Sequence, residues 1–203
     1  MNGAPEFLPR FYAITPSLQV EDHSLSILQQ VVCQRWLVSF KQLLESEIEL
    51  VQLRTKALNT DQLETLTSHC QRLATKQGVE LILNGPPDLA EQLGMAGLHL
   101  TSQALMESDQ RPLSNDFLVA ASCHSLEELK HAQEIGVDFA CLSPVKPVKA
   151  YQSDYHLGID AFREIVSGCS IPVFGLGGLV KQDLADIVRA GGQGVAGISA
   201  FWH

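Results

Sequence analysis

The chain lacks several features that would settle its class at once. No apolar run approaches the ~20 residues needed to span a bilayer, and no signal-peptide pattern opens it. A cytoplasmic protein without a membrane partner is therefore expected. Basic residues are outnumbered, 14 Lys and Arg against 23 Asp and Glu, giving a net charge of −9. That balance argues against general nucleic-acid binding, which favours a basic face. Cys33, Cys70, Cys123, Cys141 and Cys169 are odd in number, scattered, and without C-x-x-C spacing. Reduced thiols fit this pattern better than a disulfide framework or a zinc site. The dinucleotide fingerprint G-x-G-x-x-G does not follow the first apolar run, which weakens an open doubly wound sheet.

What is present is an alternation. Short apolar, β-branched runs occupy residues 11–15, 48–53, 79–83, 97–100, 118–121, 139–142, 172–175 and 194–199. Stretches of helical period lie between them, at 24–44, 61–77, 88–93, 125–135 and 182–190. Ser125 followed by Glu128 is a capping box for one of these helices. Alternating strands and helices imply parallel pairing through right-handed crossovers, and eight strands favour a closed (β/α)8 barrel of the TIM type. The last barrel helix is missing, because the chain stops just after the eighth strand. The apolar groove this leaves calls for a cover, from a homo-oligomer, a fused or partner domain, or the N-terminal segment. At 203 residues the chain can bury a proper core. Residues 10–203 read as the barrel and residues 1–9, with two prolines and a glycine, as a linker or tether.

Ligands of such barrels bind at the C-terminal strand ends. The second strand ends in Gln52, Arg54 and Lys56, which share one face at period two. An amide donor and two cations there suit an anion, since Arg forks onto phosphate oxygens. A strand fraying into a solvated loop is the plainer alternative. The third strand ends in Asn84, the fourth contains His99, and the fifth ends in Ser122-Cys123-His124. His124 reads either as a structural histidine capping its helix or as an acid/base group, while His99 orients a ligand or packs. Lys146 and Lys149 either clamp an anion or are solvated. Gly177, Gly178, Ile198 and Ser199 follow strands seven and eight, the habitual phosphate site of this fold. Cys123 lies next to His124, but adjacent strand residues point opposite ways, so a nucleophile pair is disfavoured.

Four segments carry a family resemblance: 51–56 (VQLRTK), 122–128 (SCHSLEE), 177–179 (GGL) and 194–199 (GVAGIS). In this order they resemble thiamine phosphate synthases and their relatives, the TenI-type thiazole tautomerases. The similarity runs from Arg10 nearly to the end of the chain. The resemblance implies a phosphorylated thiazole as ligand, together with a pyrimidine diphosphate if the chain is a synthase. It places Gln52, Arg54, Lys56, Asn84, His99 and Ser122 at the pyrimidine and pyrophosphate, and Gly177, Gly178, Ile198 and Ser199 at the thiazole phosphate. His124 and Lys56 become the catalytic candidates. A barrel fused behind a Nudix hydrolase domain is a further likeness.

The sequence departs from the synthases where magnesium would bind. They carry Asn-Asp after strand three and Gly-Gln-Glu-Asp after the strand-four histidine. This chain has Asn84-Gly85 and Thr101-Ser102-Gln103-Ala104. Their Thr-x-Thr-Lys after strand six is replaced by a stretch containing Val148, Ala150 and Tyr151. No metal ligand or cofactor is therefore expected, with magnesium required only of a true synthase. The leading expectation is metal-independent, TenI-like tautomerisation with His124 as acid/base. The alternatives are condensation to thiamine phosphate with release of pyrophosphate, and a non-catalytic module for precursor binding or partner packing.

Overall fold

A computed structural model describes residues 8–20, 26–148 and 155–202. Eight parallel strands close into one barrel in sequence order. They are β1 (Phe11–Ile14), β2 (Leu50–Arg54), β3 (Glu80–Asn84), β4 (Gly97–Leu100), β5 (Leu118–Cys123), β6 (Phe139–Leu142), β7 (Val173–Gly175) and β8 (Gly194–Gly197). The helices are α1 (Val31–Leu44), α2 (Thr60–Gln77), α3 (Pro87–Gln92), α4 (Ser102–Met106), α5 (Leu126–Glu134), α6 (Gly158–Val166) and α7 (Leu184–Arg189). Pairing of Ala13 with Gly197 and with Val51 closes the sheet at β1. The expected (β/α)8 barrel is what forms.

Local chemistry explains the helices. Asn59 caps α2 by accepting from Gln62 N at 2.9 Å, and the Gln62 side chain returns the bond to Asn59 N at 3.3 Å. Leu66, Cys70 and Ala74 then line one stripe of α2 and are fully buried. The capping box expected at Ser125 forms only by half. Ser125 Oγ accepts from Glu128 N, but Glu128 Oε2 takes the N–H of His124 and Oε1 the hydroxyl of Ser102. The carboxylate is drawn off by two donors at the barrel mouth. The helix expected at 24–44 is broken by extended Gln30 into a single 3-10 turn, Ile27–Gln29, and α1; residues 24 and 25 lie outside the described residues.

Strand alternation divides the apolar residues between two places. One set packs between sheet and helices. The other fills the barrel: Tyr12, Ile14, Leu50, Ile82, Ala120, Phe139, Cys141, Phe174 and Ala196. Leu8 joins this interior set, and Gln193 Nε2 donates to its carbonyl at 2.7 Å. Of the segment expected as a linker or tether, residues 8 and 9 are described, and Leu8 lies on the barrel floor. Residues 1–7 lie outside the described residues.

No eighth helix follows β8 among the described residues. Instead Phe201 N and Trp202 N both donate to Ile198 O, and the turn folds back over α1. Trp202 packs on Trp36 with ring centroids 5.0 Å apart, and Trp36 stacks on Phe40 at 5.2 Å. The chain's own aromatics therefore cover part of the expected groove, leaving Val31 and Val38 of α1 exposed. No helix among the described residues is long and apolar enough to cross a membrane.

A largely buried clasp joins the loops entering β5 and β6. Arg111 donates to the carbonyls of Leu113, Gly136 and Phe117 and pairs with Asp138 at 2.7 Å. Asp138 also accepts from Val119 N at 2.7 Å. Removing one partner leaves a nearly buried charge, so Arg111→Ala should lower unfolding stability by about 3–5 kcal/mol in denaturant titration. Ligand affinity of the remaining folded protein should be unchanged.

Candidate functional site

Inward positions stop being apolar at the C-terminal ends of the strands. Gln52 and His99 are buried there at 2% exposure each, and Ser122 is half-buried. Tyr12 connects them. Gln52 Nε2 donates to Tyr12 Oη at 3.2 Å, Tyr12 Oη and His99 Nδ1 are 3.1 Å apart, and His99 Nε2 lies 2.8 Å from Ser122 Oγ. Four residues from β1, β2, β4 and β5 thus form one hydrogen-bonded line across the barrel. Burial, with the Arg54 charge second, lowers the His99 pKa from 6.5 to about 3, so this imidazole is neutral. Burial chiefly raises the Tyr12 hydroxyl well above its ordinary value, keeping it protonated.

Arg54 is half-buried beside Asn84, its register partner on β3. Its backbone N–H is held by Thr15 Oγ1 at 3.0 Å, and its Nη1 donates to Ser17 Oγ at 3.2 Å. The period-two expectation holds for Gln52 and Arg54. It does not extend to Lys56, since β2 ends at Arg54 and Lys56 stands exposed in the following loop. As an exposed side chain it can reach an anion over the mouth but is not preset by the sheet.

His124 stands past the end of β5, exposed, with its Nδ1 2.8 Å from the Ser143 carbonyl. That carbonyl can only accept, so Nδ1 carries a proton, and in the neutral imidazole the lone pair is then on Nε2. The capping reading of His124 falls away, because Ser125 caps the helix. Cys123 points into the sheet–helix layer, where burial above all raises its thiol pKa, so it does not pair with His124.

On the opposite arc, Gly177 and Gly178 turn the chain after β7 with φ of 94° and 65°. The loop after β6 presses on them: a Cβ on Gly178 would lie 2.5 Å from Pro147 O. Only glycine satisfies both the backbone angles and that approach. Val145 N and Lys146 N donate to Leu176 O and Gly177 O, and Lys146 Nζ pairs with Asp183 at 2.8 Å. Burial pushes the Asp183 carboxyl up, but hydrogen bonds from Lys146 and Val180 N outweigh it and hold it below the usual range. Lys146 is therefore committed to this clasp, whereas Lys149 lies outside the described residues. Among the described residues no backbone carbonyl takes up the N–H groups of Gly178 and Ser199. Both residues are exposed, as is Ile198.

The ends of β3 and β4 do not fit a magnesium ion. Asn84 contributes an amide and Gly85 no side-chain donor, and Thr101 Oγ1 is used capping α4 at Ala104 N. Of the carboxylates near these ends, Glu128 already accepts from Ser102 and His124, and Asp88 stands exposed on the first turn of α3. Among the described residues no three His, Cys, Asp or Glu side chains are grouped to hold a metal. Mg²⁺ is usually anchored by one or two free carboxylates. Ala150 and Tyr151 lie outside the described residues.

The structure gathers Gln52, Arg54, Asn84, His99, Ser122 and His124 on one arc and Gly177, Gly178, Ile198 and Ser199 on the other. Sequence reasoning missed Tyr12, Ser17, Ser143 and Glu128. The signal for Tyr12 is the alternation in 11–15, which puts Tyr12 and Ile14 on one face, although Tyr12 lies within the first strand and not at its C-terminal end.

A family model described as thiamine monophosphate synthase matches residues 13–201. A chain of Aquifex aeolicus (strain VF5) is 30% identical over 96% of this chain and 98% of its own length. The thiamine-phosphate synthase of Desulfitobacterium hafniense (strain Y51) is 32% identical over 82% of this chain and 81% of that protein. Among solved structures, the thiamine phosphate pyrophosphorylase from Pyrococcus furiosus superposes with a TM-score of 0.69 at 23% identity, covering 94% of this chain and 86% of that chain. That likeness shows the fold.

The neutral His99 has a consequence for stability. The unfolded chain protonates this imidazole near pH 6.5, but the folded chain only near pH 3. Its contribution is complete above pH 6.5 and declines as pH falls toward 3, by up to ~1.4 kcal/mol per pH unit. Denaturant titrations between pH 7 and pH 5 should show this slope in the native protein and its loss in His99→Gln.

Proposed function

The chain belongs to the thiamine monophosphate synthase family, and we propose that it condenses a pyrimidine diphosphate with a thiazole phosphate. The observation that carries this reading is the division of one mouth into two unlike arcs. A proton shift on a thiazole phosphate needs the glycine turns and a base. It gives no reason for a buried polar line on β1, β2, β4 and β5 with a half-buried arginine beside it. The relatives' names also favour condensation over the tautomerisation expected first.

In this reading the thiazole phosphate sits on the N–H groups of Gly178 and Ser199, with Gly177 and Ile198 shaping the turns. The pyrimidine lies against Ser122 and Asn84, above His99 and Gln52. The thiazole ring nitrogen attacks the methylene attached to the pyrimidine. A C–N bond forms as the C–O bond to diphosphate breaks, and diphosphate leaves with the electron pair. Arg54 and the exposed Lys56 face the charge that grows on the leaving group. No step is assigned to magnesium, since the residues at the strand ends do not fit one.

A second reading is favoured by one observation, that among the described residues the Nε2 of His124 has no hydrogen-bond partner. A base with its other nitrogen fixed on Ser143 O is suited to moving a proton on a bound thiazole phosphate. Product analysis separates the two. Thiamine phosphate should form from both substrates, with Arg54→Ala slowing it about 10²–10³-fold as a charge-stabilising donor is lost, and His124→Ala retaining condensation. Absence of product at any magnesium concentration, together with a thiazole proton shift abolished in His124→Ala, would replace condensation by tautomerisation. Binding of thiazole phosphate with neither reaction would leave a binding module.

The phosphate arc makes a separate prediction. Gly178→Ala places a methyl group against Pro147 O at positive φ. Thiazole phosphate affinity in calorimetry should fall at least about tenfold, while pyrimidine diphosphate affinity holds.

A further inference from the structure

We propose that Tyr12 is a positioning residue: it commits His99 to the tautomer protonated at Nε2, so that Ser122 meets the substrate as a hydrogen-bond donor. The substrate atom facing Ser122 is then an unprotonated acceptor, a heteroaromatic nitrogen or an oxygen. The substrate half of this statement rests on the two-substrate reading above; the tautomer half does not.

The argument is a count of protons. Tyr12 is wholly buried, its ring edge-on to Phe139 at 5.3 Å and tilted against Phe174 at 5.8 Å. Among the described residues its hydroxyl has two hydrogen-bond neighbours, Gln52 Nε2 and His99 Nδ1. An amide nitrogen only donates, so Gln52 occupies a lone pair of the hydroxyl oxygen. The single hydroxyl proton then has His99 Nδ1 as its acceptor. Were Nδ1 protonated, two donors would face the same oxygen and the tyrosine proton would be stranded in an apolar interior, which native cores avoid. With Nδ1 accepting, the imidazole proton sits on Nε2 and is donated to Ser122 Oγ at 2.8 Å.

Gln52, Tyr12, His99 and Ser122 thus donate in one direction, from the buried interior toward the mouth. Each bond polarises the next, which strengthens the last donor, the Ser122 hydroxyl. Protonation of His99 would reverse the Tyr12 bond, and burial with the nearby Arg54 charge prevents this. The line keeps its direction through the neutral range.

The test starts on the ligand-free protein, with 15N-labelled histidine and the His99 signals assigned by their loss in His99→Gln. At pH 7 the native protein should show a protonated Nε2 and a bare, hydrogen-bonded Nδ1. Tyr12→Phe, which keeps the ring and removes the hydroxyl, should give a mixture of tautomers or the Nδ1-protonated form. A merely space-filling Tyr12 would not move these signals. In turnover, Tyr12→Phe should raise KM for the pyrimidine diphosphate about tenfold through loss of one oriented bond, with KM for the thiazole phosphate unchanged. An Nδ1-protonated His99 in the native protein, or a Tyr12→Phe spectrum identical to native, overturns the proposal. Should Tyr12→Phe fail to fold, the native spectrum alone still decides the tautomer. Failure of the two-substrate reading is seen separately, as absence of thiamine phosphate from native protein whose tautomer is as stated.

Discussion

Barrel closure between β1 and β8 is the constraint on which the site depends. It turns every second residue of eight strands toward a single axis, so residues far apart in sequence meet there. Below, that axis is filled by the buried side chains of Leu8, Leu50, Ile82, Phe139 and Phe174. Polar groups placed on the same axis must therefore satisfy one another. Tyr12 and His99, 87 residues apart, do so with each other, and Gln52 and Ser122 complete the set. The same enclosure that stabilises the fold fixes the protonation and direction of the groups at its mouth.

The two arcs of that mouth are built by different means. On one, side chains of β1 to β5 supply the chemistry, and burial tunes them. On the other, backbone does the work, in turns that only glycine can make because the β6 loop lies against them. The Lys146–Asp183 pair ties this loop to the residues after β7 and engages one of the two lysines that the sequence leaves open between clamping an anion and solvent. Glu128 acts similarly near β4, where it satisfies Ser102 and the backbone of His124 instead of serving a metal. Family membership fixes the setting of this chemistry, while these local pairings decide which charges remain available to a substrate.

Much of the fold was legible, and the reason is periodicity. Apolar runs bounded by helix signals located all eight strands, with β4 and β6 matched end to end, because a strand buried on both faces reads as continuous apolar sequence. α4 and α6 both escaped notice: five residues are too few for α4 to show a helical period, its Thr101 cap being its main mark, whereas in α6 the spacing of Phe162 and Val166 was there to be read. The break at Gln30 was hidden because the apolar spacing continues through it. Within the site, the strand-end residues followed from fold and alternation. The line through Tyr12 did not, because pairing between β1 and β4 side chains depends on barrel width, which no local pattern encodes. Nor did the fate of Lys146 and Glu128, each decided by a partner on another element.

The central claim is that one barrel mouth holds two different ligands at once, on separate arcs. Calorimetric titration of the pyrimidine diphosphate into protein already saturated with thiazole phosphate tests it most directly, using an unreactive pyrimidine analogue to hold the complex. The account predicts one further molecule bound per chain, at an affinity equal to or better than that of the free protein. Displacement of the thiazole phosphate, or no binding of the pyrimidine at all, would contradict it.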